Sequence, residues 1–450
     1  MEFHQKQVNR KLVRVATPIA IQGIVSATLT MVDNIMVGFL GETELAAVGV
    51  GSQLFMVHYL VLFGILSGSA TFMAQFYGTR DMLNIRKVIG FDVTLLAVLG
   101  VLCFTLTNLF TDGLLSIYTD DAAVKALAAQ YVKINSFSFL LLAITAPLEM
   151  AFKATQQVKI PMTVSTVIFF TNITINYILI FGKLGFPKMG VAGAAIGTLS
   201  SRVIEVAMNA YFAFRSKNEF CGSISSYFGW DRELTKRVIK NATPTTLNEF
   251  FWSFGQTMYV AAFSRISTTA YAAYQAANSI FNIFNFAAFS IGDAALILIG
   301  EKLGEGDMEY TWKLSKHLIK ACILVGLVIG GITIVLSGPL SSIFKLTESG
   351  RMYTKYLLMV LGATMAVDLF NGMQIAGILR AGGDTKFAMI SESLCIWLIA
   401  VPLAFFSSLV LHLPIHLALL VTRAENFFRG AILAKRYLSK KWMNTVIEDL

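Results

Sequence analysis

Charge is what this chain has least of. Only 14% of its 450 residues are Asp, Glu, Lys or Arg, against about 25% in a soluble domain. A chain so poor in charge cannot cover its own surface with polar groups, so lipid has to be part of its solvent. Hydrophobic residues make up 56% and the mean hydropathy is +0.66. A spanning helix needs roughly 20 mostly apolar residues, so about twelve such helices with short loops use nearly the whole length. No room is left for a soluble catalytic domain.

Other shortages narrow the function. Cys103, Cys221, Cys322 and Cys395 form no CxxC or other metal-ligand spacing, and three of them sit in apolar runs where Cys is a small hydrophobe. No structural disulfide, metal cluster or cofactor is expected. The GxxxxGKS phosphate loop and the HExxH zinc motif are both missing, so neither direct ATP drive nor zinc hydrolysis is read here. The 34 glycines mostly follow small-residue spacing in helices, where they permit close packing. The net charge of +9 is not taken for a nucleic-acid footprint, because no basic stripe interleaves with aromatics. Lys and Arg of membrane proteins collect in cytoplasmic loops facing anionic lipid.

What is present is a series of apolar segments, near 12–38, 44–77, 88–112, 128–152, 160–182, 190–215, 237–265, 270–303, 316–340, 353–380, 386–411 and 413–437. Lys6, Arg10, Lys11 and Arg14 precede the first, with no small-residue cleavage site, which reads as a retained helix and an inside N-terminus. With that orientation about 25 basic residues fall inside, among them Arg215, Lys217 and Arg380, and about eight outside, among them Lys183 and Lys345. This threefold bias supports an even number of helices, both termini cytoplasmic, in the inner cell membrane. The polar stretch from Ser216 to Lys236 carries interfacial aromatics. It places a linker at 221–236 between lobes at 1–220 and 237–450.

The halves repeat. Ala16-Thr17-Pro18 recurs as Ala242-Thr243-Pro244, and Gly78-x-x-Asp81-Met82 recurs at the same separation as Gly304-x-x-Asp307-Met308. Gly113-x-Leu115-Ser116 recurs as Gly338-x-Leu340-Ser341, and Lys153 faces Arg380, each a single position off that separation. Six helices per half bring the second into the membrane in the first one's orientation. The expected architecture is therefore two six-helix lobes related by a pseudo-two-fold along the membrane normal, with substrate between them.

Asp33 is the sharpest functional candidate. A carboxyl within a spanning helix costs about 2.5–3.5 kcal/mol at its centre, and it persists when it is paired, faces water or holds a proton for a purpose. It lies about five residues, roughly 8 Å, from the outer end of its helix. Asn176 comes about 9 Å below the outer end of helix five with Asn172 a turn deeper, and Thr198 about 12 Å down helix six. The i, i+4 spacing puts both asparagines on one face. One carboxylate with amide and hydroxyl oxygens at matching depth suits a proton or a small cation, Na⁺ being the one metal considered; interhelical hydrogen bonding is the alternative use of such residues. Glu249, Asp293 and Asp368 fall near mid-membrane in the second half, where they suit a cationic substrate or pair among themselves or with Arg265 or Arg423. Aromatics of Asn282–Phe289 offer stacking faces. Arg202 with Glu205, Glu425 with Arg429 and Glu149 with Lys153 have intrahelical pair spacing and read as structural.

Several motifs together resemble the multidrug and toxic compound extrusion (MATE) family. They are Met31-Val-Asp33-Asn34-Ile-Met-Val-Gly38, Leu45-Ala-Ala-Val-Gly49, Asn172-Ile-Thr-Ile-Asn176-Tyr-Ile-Leu-Ile-Phe-Gly182, Gly190-Val-Ala-Gly-Ala-Ala-Ile-Gly197 and Gly377-Ile-Leu-Arg380-Ala-Gly-Gly-Asp384-Thr-Lys386. The likeness runs from about Arg10 to Trp442. It implies an antiporter that exports small organic, cationic or other drug-like compounds on H⁺ or Na⁺ influx; a monomer is expected, and the missing motifs make an enzyme unexpected. It also implies an N-lobe coupling site at Asp33, Asn172, Asn176 and Thr198, and a C-lobe cation site at Glu249 and Asp368. The second helix-five position is often Asp in that branch, and Asn176 removes a charge; Asp293 stands where Asn is expected. A lipid-linked precursor flippase of the same superfamily, needing a cationic cavity, and a membrane-embedded enzyme are the alternatives.

Overall fold

The computed structural model describes residues 5–215, 218–344 and 346–448. Ser216 and Lys217 of the linker stretch and Lys345 of the loop charge lie outside the described residues, as does the Phe286 side chain. Among the described residues there is helix and no strand.

The first half runs α1 (Gln5–Gly38), α2 (Glu42–Gly78), α3 (Met82–Leu109), the short α4 (Thr111–Ser116), α5 (Ala122–Asn135), α6 (Ser138–Ala154), α7 (Lys159–Phe181) and α8 (Val191–Phe214), with a single turn α9 (Ile224–Tyr227) after it. The second half runs α10 (Arg232–Ser264), α11 (Thr268–Gly304), α12 (Met308–Val335), the short α13 (Ser337–Ser341), α14 (Glu348–Gly372), α15 (Thr385–Cys395), α16 (Val401–Phe405) and α17 (Ile415–Leu438). All twelve apolar segments are helical. Among the described residues, eight helices are long and apolar enough to cross a membrane, nine if the pair α5–α6, bent by 47°, is one span.

The repeat seen in short motifs governs the helix boundaries. Glu42 and Thr268, Gly78 and Gly304, Met82 and Met308, and Leu109 and Val335 are pairs of helix ends, and the same step along the chain separates each pair. The physical reason is a shared stop-and-start device. Asp81 caps α3 by accepting the Asn84 N–H, and Asp307 caps α12 by accepting the Tyr310 N–H, both at 3.0 Å. The residue before each cap lies in the left-handed region, Arg80 at φ 61° and Gly306 at φ 76°, which ends the preceding helix. Symmetry then relaxes. The bend between α5 and α6 has no counterpart in α14, which runs straight on into a π-helical stretch, Met373–Leu379. Two more π stretches, Ile396–Ala400 and Phe406–Val410, flank α16.

The chain packs as two compact units. One comprises the described residues of Ile21–Ile239, the other those of Met1–Ala20 with Lys240–Asp449. The expected lobe boundaries differ from these, because the first helix is divided between units. Its N-terminal part is held in the C-terminal unit by Lys11, whose ammonium meets Glu301 at 2.6 Å, and by Asn9 bonding His317, with Val8, Leu12 and Val15 buried. The first turns of α10 belong to the N-terminal unit in the same way, with Leu234 and Val238 buried.

In each unit the chain that follows the last long helix packs back onto the unit. In the N-terminal unit Phe220 packs on Phe152, Asn218 donates to Gln157, and the Tyr227 carbonyl sits where a Cβ on Gly90 would be. In the C-terminal unit Trp442 is fully buried and stacks on Tyr437, which stacks on Trp312. A Cβ on Gly382 would lie 1.6 Å from the Trp442 carbonyl oxygen, so the Gly382-Gly383 pair is the seat of the C-terminal tail.

Candidate functional site

In the N-terminal unit α7 carries Asn172 and Asn176 one turn apart, both buried; α7 packs on α8, and Asn176 reaches Asp33 on the C-terminal part of α1. The Asn176 amide N–H group donates to Asp33 Oδ1 and to Asn172 Oδ1, each at 2.8 Å. One amide thus ties a carboxylate on α1 to an amide on its own helix. Its own carbonyl oxygen, Oδ1, is buried without a hydrogen-bond partner. Asp33 itself is half-buried, and its second oxygen makes no hydrogen bond. Arg202 and Tyr131 lie close enough to act on it electrostatically.

Gly197 on α8 explains how Asn176 fits. A Cβ there would stand 1.9 Å from Asn176 Oδ1. Three of the four expected residues therefore meet. Thr198, next to Gly197, is half-buried, and its hydroxyl makes no hydrogen bond among the described residues, so it is near the trio but outside its bonding. Sequence reasoning passes over Gly197; the Gly190–Gly197 small-residue run is its signal.

The acids of the C-terminal unit do not converge as free carboxylates. Arg380 donates to Glu249 Oε1 at 2.6 Å. By its place in the sequence Arg380 counts among the inner-loop cations, yet it is buried. Asp368 accepts from Arg423 and from Asn426. Pairing with Arg423 is one of the two expected readings for these acids. Asp293 is half-buried on α11. Next to these pairs lies a group that sequence reasoning misses. Glu392 on α15 accepts from Asn248 at 2.8 Å and from Arg429 at 2.6 Å. Arg429 also approaches Glu425 at 3.2 Å, the expected i, i+4 pair. An acid at 392 inside an apolar segment is visible in the sequence, but its partner on α17 is not. The other intrahelical pairs form as read: Arg202 with Glu205 at 2.6 Å and Lys153 with Glu149 at 2.9 Å.

The family model MatE matches residues 18–178 and, a second time, residues 244–406. This chain belongs to the MATE family. The two matches start as far apart as the paired helix ends do. Among curated MATE relatives, the probable multidrug resistance protein NorM of Thermotoga maritima is 25% identical over 443 residues, covering 97% of this chain and 93% of its own. The probable multidrug resistance protein YoeA of Bacillus subtilis is 27% identical over 405 residues, covering 87% and 85%. A solved structure of MATE in complex with MaL6 superposes with a TM-score of 0.88 at 20% identity, over 96% of this chain and 97% of that one. A MOP superfamily transporter from Pyrococcus furiosus, described as having a binding pocket of reversed polarity, superposes at 0.86 and 19%, over the same shares. This MATE chain is a multi-pass membrane transporter with multidrug-efflux relatives, and its family points to transport rather than enzymatic chemistry.

Proposed function

We propose that this chain is a secondary exporter of small organic cations, coupled to H⁺ or Na⁺ influx through Asp33. Twelve spanning helices in two lobes, both termini on the cytoplasmic side of the inner membrane, are the frame of that reading. The family, the repeat and the loop charge support it. The carrying observation is the Asn176 amide, bound through its N–H group to Asp33 while its own oxygen stands buried and unpaired.

That geometry suggests how the carboxylate's charge is read. An amide presents N–H donors on one side and an acceptor on the other. With Asp33 ionised and empty, the donor side faces it. With a proton or Na⁺ on Asp33, the acceptor side becomes the better partner, and the amide turns. Asn172 accepts in the first state and donates in the second. The two states then differ in their hydrogen bonds as well as their charge, and a differential ion affinity is what lets a gradient do work on a protein. The alternative flippase reading needs cations free to hold a pyrophosphate. Arg380, Arg423 and Arg429 are instead each bound to a carboxylate, which weighs against it.

The test is efflux of a fluorescent organic cation from proteoliposomes under a proton gradient alone and a sodium gradient alone. Efflux under one gradient names the ion. Asp33→Asn should fold and lose gradient-driven efflux; wild-type efflux in that variant removes Asp33 from the mechanism.

A further inference from the structure

The ion pairs of the C-terminal unit do not balance. Arg380 serves Glu249, and Arg423 serves Asp368. One guanidinium, Arg429, is left for two carboxyl groups: Glu392 at 2.6 Å and Glu425 at 3.2 Å. Both acids are deeply buried, with 7% and 4% of their surface exposed. The contact of Arg429 with Glu425 is the poorer one, since neither Arg429 Nε nor Glu425 Oε1 makes a hydrogen bond. Two carboxylates cannot both stay ionised around one cation where water is scarce. Beside them the side-chain oxygen of Asn248, an amide whose N–H group already holds Glu392, is buried and unpaired. It is an acceptor in want of a donor.

We propose that Glu392 and Glu425 share a single exchangeable proton around Arg429, a second proton-carrying site that lies in the C-terminal unit and is separate from Asp33. A metal cation is disfavoured there because the guanidinium already occupies the space between the acids. A hydrogen-bonded chain leads outward from the pair: Arg429 donates to Asn426 Oδ1 at 2.6 Å, and Asn426 donates to Asp368, which is only half-buried beside Arg423. The charged and titratable groups acting on Glu425 are Arg429, Glu392, Asp368, Arg423, Tyr259 and Cys395, and Glu249 and Arg380 also act on Glu392. The whole cluster still holds three guanidinium groups, Arg380, Arg423 and Arg429, against the four carboxyls of Glu249, Asp368, Glu392 and Glu425. The exchange is a proton passing between carboxylate and water, with no other bond made or broken. Its use in transport rests on the exporter reading above; the shared proton itself does not.

Infrared difference spectra of the purified full chain at neutral pH read the proton directly, through the carbonyl stretch of a protonated carboxyl. Glu425→Gln and Glu392→Gln should each remove one protonated-carboxyl band from the wild-type spectrum, because the remaining carboxylate is then matched by Arg429, while Asp33→Asn should leave that band. Any band from the fully buried Asp92, which accepts from Ser69 at 2.7 Å, persists in all three. A spectrum that loses no carboxyl band in either Gln variant overturns the proposal. Thermal unfolding supplies a second reading. Glu425→Gln should leave the midpoint within a degree or so of wild type, and Arg429→Met should lower it strongly; an equal fall in both means Glu425 was an ionised partner, and the shared proton is refuted. Should wild-type vesicles transport nothing under either gradient, the exporter reading fails while the infrared result stands on its own.

Discussion

Gly197→Ala is a one-methyl perturbation of the Asp33 site made from the far side. The added Cβ would stand 1.9 Å from Asn176 Oδ1 and 2.9 Å from Asn176 Cγ, where ordinary contact begins at 3.4 Å. The amide has to retreat by 1.5 Å (3.4 − 1.9), or α8 has to move away. A retreat of that size stretches the 2.8 Å bonds to Asp33 and Asn172 beyond the usual hydrogen-bond range of about 2.7–3.2 Å. The bond to a carboxylate is worth about 1.5–3 kcal/mol and the neutral one about 0.5–1.5, so about 2–4.5 kcal/mol is at stake. Gly49→Ala is the control, since a Cβ there meets nothing within 4 Å. Thermal unfolding in detergent and gradient-driven efflux should both fall in Gly197→Ala and hold in Gly49→Ala. A Gly197→Ala protein with wild-type midpoint and wild-type coupling would refute the idea that Asn176 positions Asp33.

Three further outcomes follow from named contacts. Arg380→Met leaves the half-buried Glu249 without its cation; breaking a fully buried pair costs about 3–5 kcal/mol, so the loss should stay below that, and adding Glu249→Gln should restore most of the lost unfolding midpoint. Trp442→Ala empties the aromatic stack on Tyr437 and should cost about 3–5 kcal/mol, seen as a lower midpoint. Gly382→Ala drives a methyl into the Trp442 carbonyl, so the tail should become open to limited proteolysis, while Gly331→Ala, with nothing within 4 Å of its Cβ, leaves the cleavage pattern unchanged.

Much of this is legible along the chain because its physics is local. Twelve apolar runs show themselves as helices, and Asp81 and Asp307 announce helix starts by the capping they do. Asn172 and Asn176 can be placed beside Asp33 because helical rise converts position into depth. The rest depends on partners distant in sequence. Glu249 reads as facing a cavity because nothing local says that Arg380, on the far side of the C-terminal half, reaches it. Glu425 and Arg429 read as a closed pair because i, i+4 spacing is visible and Glu392 is not. The π-helical stretches carry no periodic mark, since an inserted residue shifts the apolar face without altering composition. The division of α1 between units has no signature either: Lys11 looks like any inside cation until Glu301 is beside it.

That division sets a schedule for synthesis. Gln5–Ala20 is made well before the rest of its own unit, which begins at Lys240. At about 5–20 residues per second the interval is roughly 10–45 s. Through that time the N-terminal part of the first helix lacks Glu301 and His317, the partners of its Lys11 and Asn9. That segment therefore finishes folding late, and the nascent chain has to hold it uncommitted until the second half is made.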